Sequence, residues 1–134
     1  MKRRVLTTKG IGHIEKMSDQ AEFVAQTQLL GEVGLGIDSA TSVDKIEVPL
    51  DDLDVILVMC VKAGESGQKF MEENLKKISM IKNTFIPIEV DGGINSETII
   101  KAKSSGASRF VATSFIFEEN PKEQFDKLQQ ALFH

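Results

Sequence analysis

One cysteine in 134 residues rules out an internal disulfide. That residue, Cys60, lies inside the apolar run Val55–Val61 (VILVMCV) and reads as a small buried side chain, with a reactive thiol as the alternative. Long apolar runs are lacking as well. None approaches the ~20 residues that a membrane-spanning helix needs, and Met1-Lys2-Arg3-Arg4 is not followed by the ~7–15 apolar residues of a signal-peptide core. The sequence therefore predicts a cytoplasmic protein with no membrane partner. Excess positive charge is also missing: 16 basic against 20 acidic residues give a net charge of −4, which argues against nucleic acid as a partner. What remains is 41% hydrophobic content without a compositional break, enough for one core and hence a single domain over residues 1–134.

Short runs rich in Val and Ile alternate with longer segments of helical period, the pattern of stacked βα units around a parallel sheet. Strands are predicted at Ile11–Glu15, Val33–Ile37, Asp54–Val61, Ile86–Asp91 and Arg109–Ala112. Between them the sequence predicts a helix over Asp19–Leu30 with Ser18 as cap and Gly31 as stop, and a short helix over Ser42–Glu47. A longer helix over Gln68–Lys82 carries Met71, Leu75, Ile78 and Ile81 as its buried stripe, and another spans Ser96–Ser104, closed by Gly106. The last helix has the clearest start: Asn120 caps, Pro121 occupies the first turn, Glu123 completes a capping box, and Phe125, Leu128 and Leu132 form the buried stripe. The strand C-termini, near Glu15, Asp38, Lys62, Asp91 and Thr113, then fall on one side of the sheet, where ligand sites of α/β proteins lie.

One of those ends is chemically loaded. Ile88–Asn95 (IEVDGGIN) closes a strand on a carboxylate and follows it with two glycines, which let backbone N–H groups approach a ligand, while Asn95 can cap the next helix. A tight βα turn with Asp91 merely solvated is the alternative reading of the same residues.

Three segments carry a family resemblance. Leu57–Phe70 (LVMCVKAGESGQKF) resembles the pattern LVMTVNPGFGGQKF of ribulose-phosphate 3-epimerases, Ile88–Asn95 resembles their IxVDGGIN, and Gly106–Phe117 (GASRFVATSFIF) resembles GADxFVAGSAIF. Gly12–Glu15 is similar to the family's fourth strand and Val33–Ile37 to its fifth. The resemblance implies a partial (β/α)₈ TIM barrel of about four to five βα units, since a full barrel needs ~250 residues. It implies epimerisation at C3 of a ketopentose 5-phosphate, with a divalent metal ion (zinc, iron(II) or manganese) as cofactor. On this likeness Asp91 is both the metal ligand and the second catalytic acid/base, and Met59 lines the sugar pocket. The phosphate falls to backbone N–H groups of Gly64-Glu65-Ser66-Gly67, Gly92-Gly93 and Thr113-Ser114.

Departures from the family pattern matter as much. The family's two metal-binding histidines and its first acid/base aspartate belong to strands that precede the matched region. His13 reads as structural or loop-facing, and His134 carries no assigned role. Glu65 puts a negative charge beside the phosphate loop, Thr113 puts a Cβ where the family has glycine, and Lys62 offers a compensating charge. The sequence thus predicts an isolated chain with weak or no activity. It leaves three readings open: an epimerase half completed by a homo-oligomer or a separate front half-barrel, a non-catalytic sugar-phosphate-binding half-barrel, or a fragment.

Overall fold

A computed structural model describes residues 8–62, 69–81 and 85–133. Five strands form one parallel sheet in sequential order: β1 (Lys9–His13), β2 (Glu32–Ile37), β3 (Val55–Met59), β4 (Ile88–Asp91) and β5 (Arg109–Val111). Helices α1 (Gln20–Gln28), α2 (Leu75–Ile81) and α3 (Thr98–Ser105) follow β1, β3 and β4, 3₁₀ turns alone link β2 to β3, and α4 (Thr113–Glu118) and α5 (Pro121–Leu132) follow β5. This is the α/β, partial-barrel architecture expected.

Strand register explains which residues meet the helices. Side chains alternate faces along a strand, and the pairings Gly36↔Leu57, Leu57↔Glu89 and Glu89↔Arg109 place those residues on one face. The opposite face carries Val33, Leu35, Ile37, Ile56, Val58, Cys60, Ile88 and Val90, which join Val24, Ile78, Ile81, Ile99, Ala102 and Leu128 in the buried core. Fully burying an aliphatic side chain is worth about 1.5–3 kcal/mol, so this helix-covered face holds the fold together. The inner face is not the bare apolar surface that the runs Val33–Ile37 and Val55–Val61 suggest. Strand β2 presents Gly34 and Gly36 there, Val55 and Leu57 are buried, His13 adds an imidazole, and Lys9, Glu89, Asp91 and Arg109 bring charge.

Several boundaries differ from the sequence expectation for identifiable reasons. Asp19, not Ser18, caps α1 by accepting from the Glu22 amide at 3.0 Å. The first strand runs two residues earlier than expected, and Ile14–Lys16 forms a 3₁₀ turn. The Ser42–Glu47 helix is a single 3₁₀ turn over Val43–Lys45 behind the Ser42 cap. Of the Gln68–Lys82 segment, Gln68 and Lys82 lie outside the described residues, and Lys69–Met71 is not helical, because the Met71 amide donates to the Cys60 carbonyl at 2.7 Å. A 3₁₀ turn over Glu72–Asn74 then leads into α2. The capping of α5 by Asn120 is as expected, but its buried positions are Gln124 and Leu128, while Phe125 is 52% exposed. Gln124 turns inward because its amide donates to the Phe115 carbonyl, tying α5 to α4. Helix α4 itself was not anticipated.

Candidate active site

Strand β4 delivers Asp91 in register with Met59 of β3 and Val111 of β5, with the Asp91 carbonyl accepting from the Cys60 amide at 2.9 Å. The chain then turns through Gly92 (φ +107°) and Gly93 (φ +71°), conformations that favour glycine. Space enforces the same choice. A Cβ on Gly92 would lie 2.4 Å from the Val61 side chain, and one on Gly93 would lie 2.7 Å from the Phe70 backbone. Beyond the glycines, Thr98 Oγ1 donates to the Gly93 carbonyl at 2.7 Å and accepts from the Asn95 amide at 2.9 Å. Asn95 Oδ1 accepts from the Glu97 and Thr98 amides, each at 2.9 Å. This closed ring fixes the turn and starts α3.

The turn forms one wall of a cleft of about 800 Å³. Asp91, Gly92, Gly93, Thr113 and Ser114 all line it, together with Lys69, Phe70, Glu97 and Glu118. Helix α4 opens at Thr113, and the amides of a helix's first turn have no intrahelical acceptor, so they are available to an anion. Met59 is not among the lining residues. It lies beside Asp91 on the adjacent strand, on the same inner face and partly buried. Gly64, Glu65, Ser66 and Gly67 fall outside the described residues. Burial pushes the Asp91 carboxyl above the ordinary aspartate range, the Glu89 carboxylate adds to the rise, and His13 opposes it.

A second group of donors sits at the ends of β1 and β2. His13 Nδ1 is 3.3 Å from Asp38 Oδ1 and 4.0 Å from Glu15 Oε1. The Asp38 amide donates to Glu15 Oε2 at 2.9 Å, and Lys77 Nζ donates to the Asp38 and Ser39 carbonyls at 3.0 and 2.6 Å. Burial raises the Glu15 carboxyl, but the hydrogen bonds it accepts from Asp38 and Thr41 outweigh that and bring it below the ordinary range. Burial likewise lowers the Lys77 ammonium. Sequence reading passed over this group. Its signal was present in the His-x-Glu at one strand end and an aspartate just past the next, but only the β1–β2 register, with His13 opposite Gly36, joins them.

Comparison with known proteins separates lineage from geometry. The model of the ribulose-phosphate 3 epimerase family matches residues 8–117. The chain belongs to that family. It is 31% identical over 124 residues to the ribulose-phosphate 3-epimerase of Schizosaccharomyces pombe, covering 90% of this chain and 54% of that protein. Identity is 35% over 127 residues to the enzyme of Methanocaldococcus jannaschii, covering 89% and 54%, and 33% over 126 residues to that of Escherichia coli, covering 85% and 56%. The chain thus spans about half the length of the curated ribulose-phosphate 3-epimerases it matches. Among solved structures, the crystal structure of the Amycolatopsis orientalis BexX/CysO complex is similar in fold, with a TM-score of 0.64 at 23% identity over 82% of this chain and 45% of that one. Among the described residues, no helix is long and apolar enough to cross a membrane.

Proposed function

We propose that this chain is the back half of a ribulose-phosphate 3-epimerase barrel, folding as one unit over residues 1–134 in the cytoplasm and acting on a ketopentose 5-phosphate once front strands complete it. The observation that carries this reading is the position of Asp91, at the end of β4 on a cleft shared with Gly92-Gly93 and the first turn of α4. Epimerisation at C3 removes the proton α to the carbonyl on one face and returns a proton on the other, so it needs two acid/base groups. Asp91, with its carboxyl raised by burial, supports the role of the group that returns the proton. The phosphate would take backbone N–H groups at Gly92-Gly93 and Thr113-Ser114, together with Gly64 to Gly67, and Met59 would face the sugar.

The divalent metal that the family implies does not fit Asp91 alone. A catalytic ion normally takes about three protein ligands, and the three-donor group among the described residues consists of His13, Glu15 and Asp38, without Asp91. The remaining ligands and the first acid/base would come from front strands, in this reading those of a complementing front half-barrel or of another copy in a homo-oligomer.

Co-expression with the front βα units of the Escherichia coli relative tests the reading. Epimerase activity should appear in the mixture, be absent or weak in either part alone, and vanish with Asp91→Asn. A folded complex without activity would refute it. The second reading, a non-catalytic sugar-phosphate-binding half-barrel, draws support from the Thr113 side chain and from Glu97 and Glu118 on the cleft wall. It requires ribulose 5-phosphate to bind the lone chain in calorimetry with no turnover in any complex.

A further inference from the structure

The group His13, Glu15 and Asp38 lies at the rim of β1 and β2, outside the cleft that holds Asp91. We propose that these three residues form a divalent transition-metal site of their own, distinct from any metal position that Asp91 shares in a completed barrel. Each offers one ligand atom, and those atoms lie within 4.8 Å of one another. A tetrahedral ion with bonds of about 2.0–2.1 Å sets its ligands about 3.3 Å apart. His13 Nδ1 and Asp38 Oδ1 already stand at 3.3 Å, and Glu15 Oε1, at 4.0 Å from the imidazole, has to close by about 0.7 Å to reach that spacing.

The surroundings hold the donors in place without using up their ligand atoms. Gly36, opposite His13 in the register, leaves room for the imidazole, since a Cβ there would sit 3.3 Å from both its Nδ1 and its Cε1. Glu15 spends one oxygen on the Asp38 amide and turns the other toward His13. Lys77 pins the Asp38 and Ser39 carbonyls, which fixes the backbone that carries the Asp38 carboxylate. Partners of this kind orient metal ligands. Two carboxylates outnumber that single ammonium, so the rim keeps a net negative charge. The three side chains are 23–33% exposed, enough for an ion to enter. A separate cleft of about 260 Å³ runs past Glu15 and Thr41, beside the site. One imidazole nitrogen with two carboxylate oxygens suits zinc, iron(II) or manganese over calcium and magnesium, which prefer all-oxygen sets.

Calorimetric titration of the chelator-treated full chain with zinc tests the site, with cobalt(II) absorption reporting coordination. One zinc per chain is expected, unaffected by millimolar magnesium, with a low-symmetry cobalt spectrum. His13→Ala and Asp38→Asn should each weaken zinc by at least about tenfold, a loss of the size that ligand-shell changes produce. Asp91→Asn removes a charge that His13 feels but no ligand, so it should change the affinity far less than the ligand variants. Glu15→Gln keeps an acceptor for the Asp38 amide and removes the charge, so it separates ligation from folding and should also weaken binding. Absence of zinc binding, affinity unmoved by the His13, Glu15 and Asp38 variants, or affinity lost with Asp91→Asn would each overturn the site. The first of these would leave His13 and Asp38 as a plain side-chain contact. Epimerase activity does not enter the readout, so this outcome and that of the complementation experiment are independent.

Discussion

Lys9, at the start of β1, reaches across the inner face to Glu89 on β4, its Nζ 3.4 Å from Glu89 Oε1 although 80 residues separate them. Strands β2 and β3 lie between the two, and β2 presents the side-chain-free Gly34 and Gly36 on this face beyond Glu32, the register partner of Lys9. The pair is partly exposed and contributes at most about 1 kcal/mol. Glu89 also acts on Asp91, two residues further along the same face of β4, where its charge raises the Asp91 carboxyl.

Glu89→Gln should therefore bring the Asp91 carboxyl down toward the ordinary aspartate range. Burial is the larger cause of the raised value and persists, so the shift is partial. Carbon-13 NMR of the side-chain carboxyls across a pH titration reads it directly. An unmoved or higher Asp91 midpoint would mean that burial alone sets it.

The turn after Asp91 should tolerate no side chain. Gly93→Ala would place a Cβ 2.7 Å from backbone atoms of Phe70 at φ +71°, and such left-handed strain alone costs about 1–3 kcal/mol. Gly36→Ala meets only side-chain atoms at 3.3–3.4 Å and should cost clearly less. Urea denaturation of the two variants gives the comparison, and equal losses would contradict the account of the turn.

How much of this was legible follows from which interactions are local. The DGG turn announces itself because its conformational demand sits within consecutive residues, and the Asn120 cap does so for the same reason. The start of α2 was misplaced because the Met71 amide answers to Cys60, a partner that the 3.6-residue period cannot show. Phe125 was assigned inward on hydrophobicity, yet the inward place goes to Gln124 through its bond to Phe115. The His13–Glu15–Asp38 group stayed hidden because residues more than twenty positions apart meet only through strand register.

Cys60 is fully buried, and desolvation pushes its thiol up to about 12 from an ordinary value of 9.0. The native chain should give no reaction with a disulfide reagent at pH 8, and one thiol per chain after denaturation. The sign of the linked stability follows. Between pH 9 and 12 the unfolded thiol loses its proton while the folded one keeps it, so the contribution from this residue is present below pH 9 and falls as pH rises through that window. Cys60→Ala should flatten the alkaline loss of stability relative to the parent chain. A native thiol that reacts at once, or an alkaline slope identical in the variant, would show Cys60 to be accessible or unshifted.

A closed barrel has no sheet edge, whereas here β1 and β5 each pair with one neighbour among the described strands. Unpaired edges offer rows of backbone donors and acceptors to another chain. The inner face adds to this, because it mixes the partly buried Met59 with the His13 imidazole and the charges of Asp91 and Arg109, which no opposing strand covers among the described residues. Further apolar surface is exposed at Leu29, Leu30, Phe85 and Phe133. Light scattering on the purified chain at micromolar concentration should thus give a mass of at least two chains, and adding a complementing front half should replace that species with a one-to-one complex. Ile11→Pro removes an amide from the edge strand β1 and should weaken the self-association while circular dichroism stays close to that of the parent. A well-folded monomer at these concentrations, indifferent to any front half, would remove the case for a partner on this face.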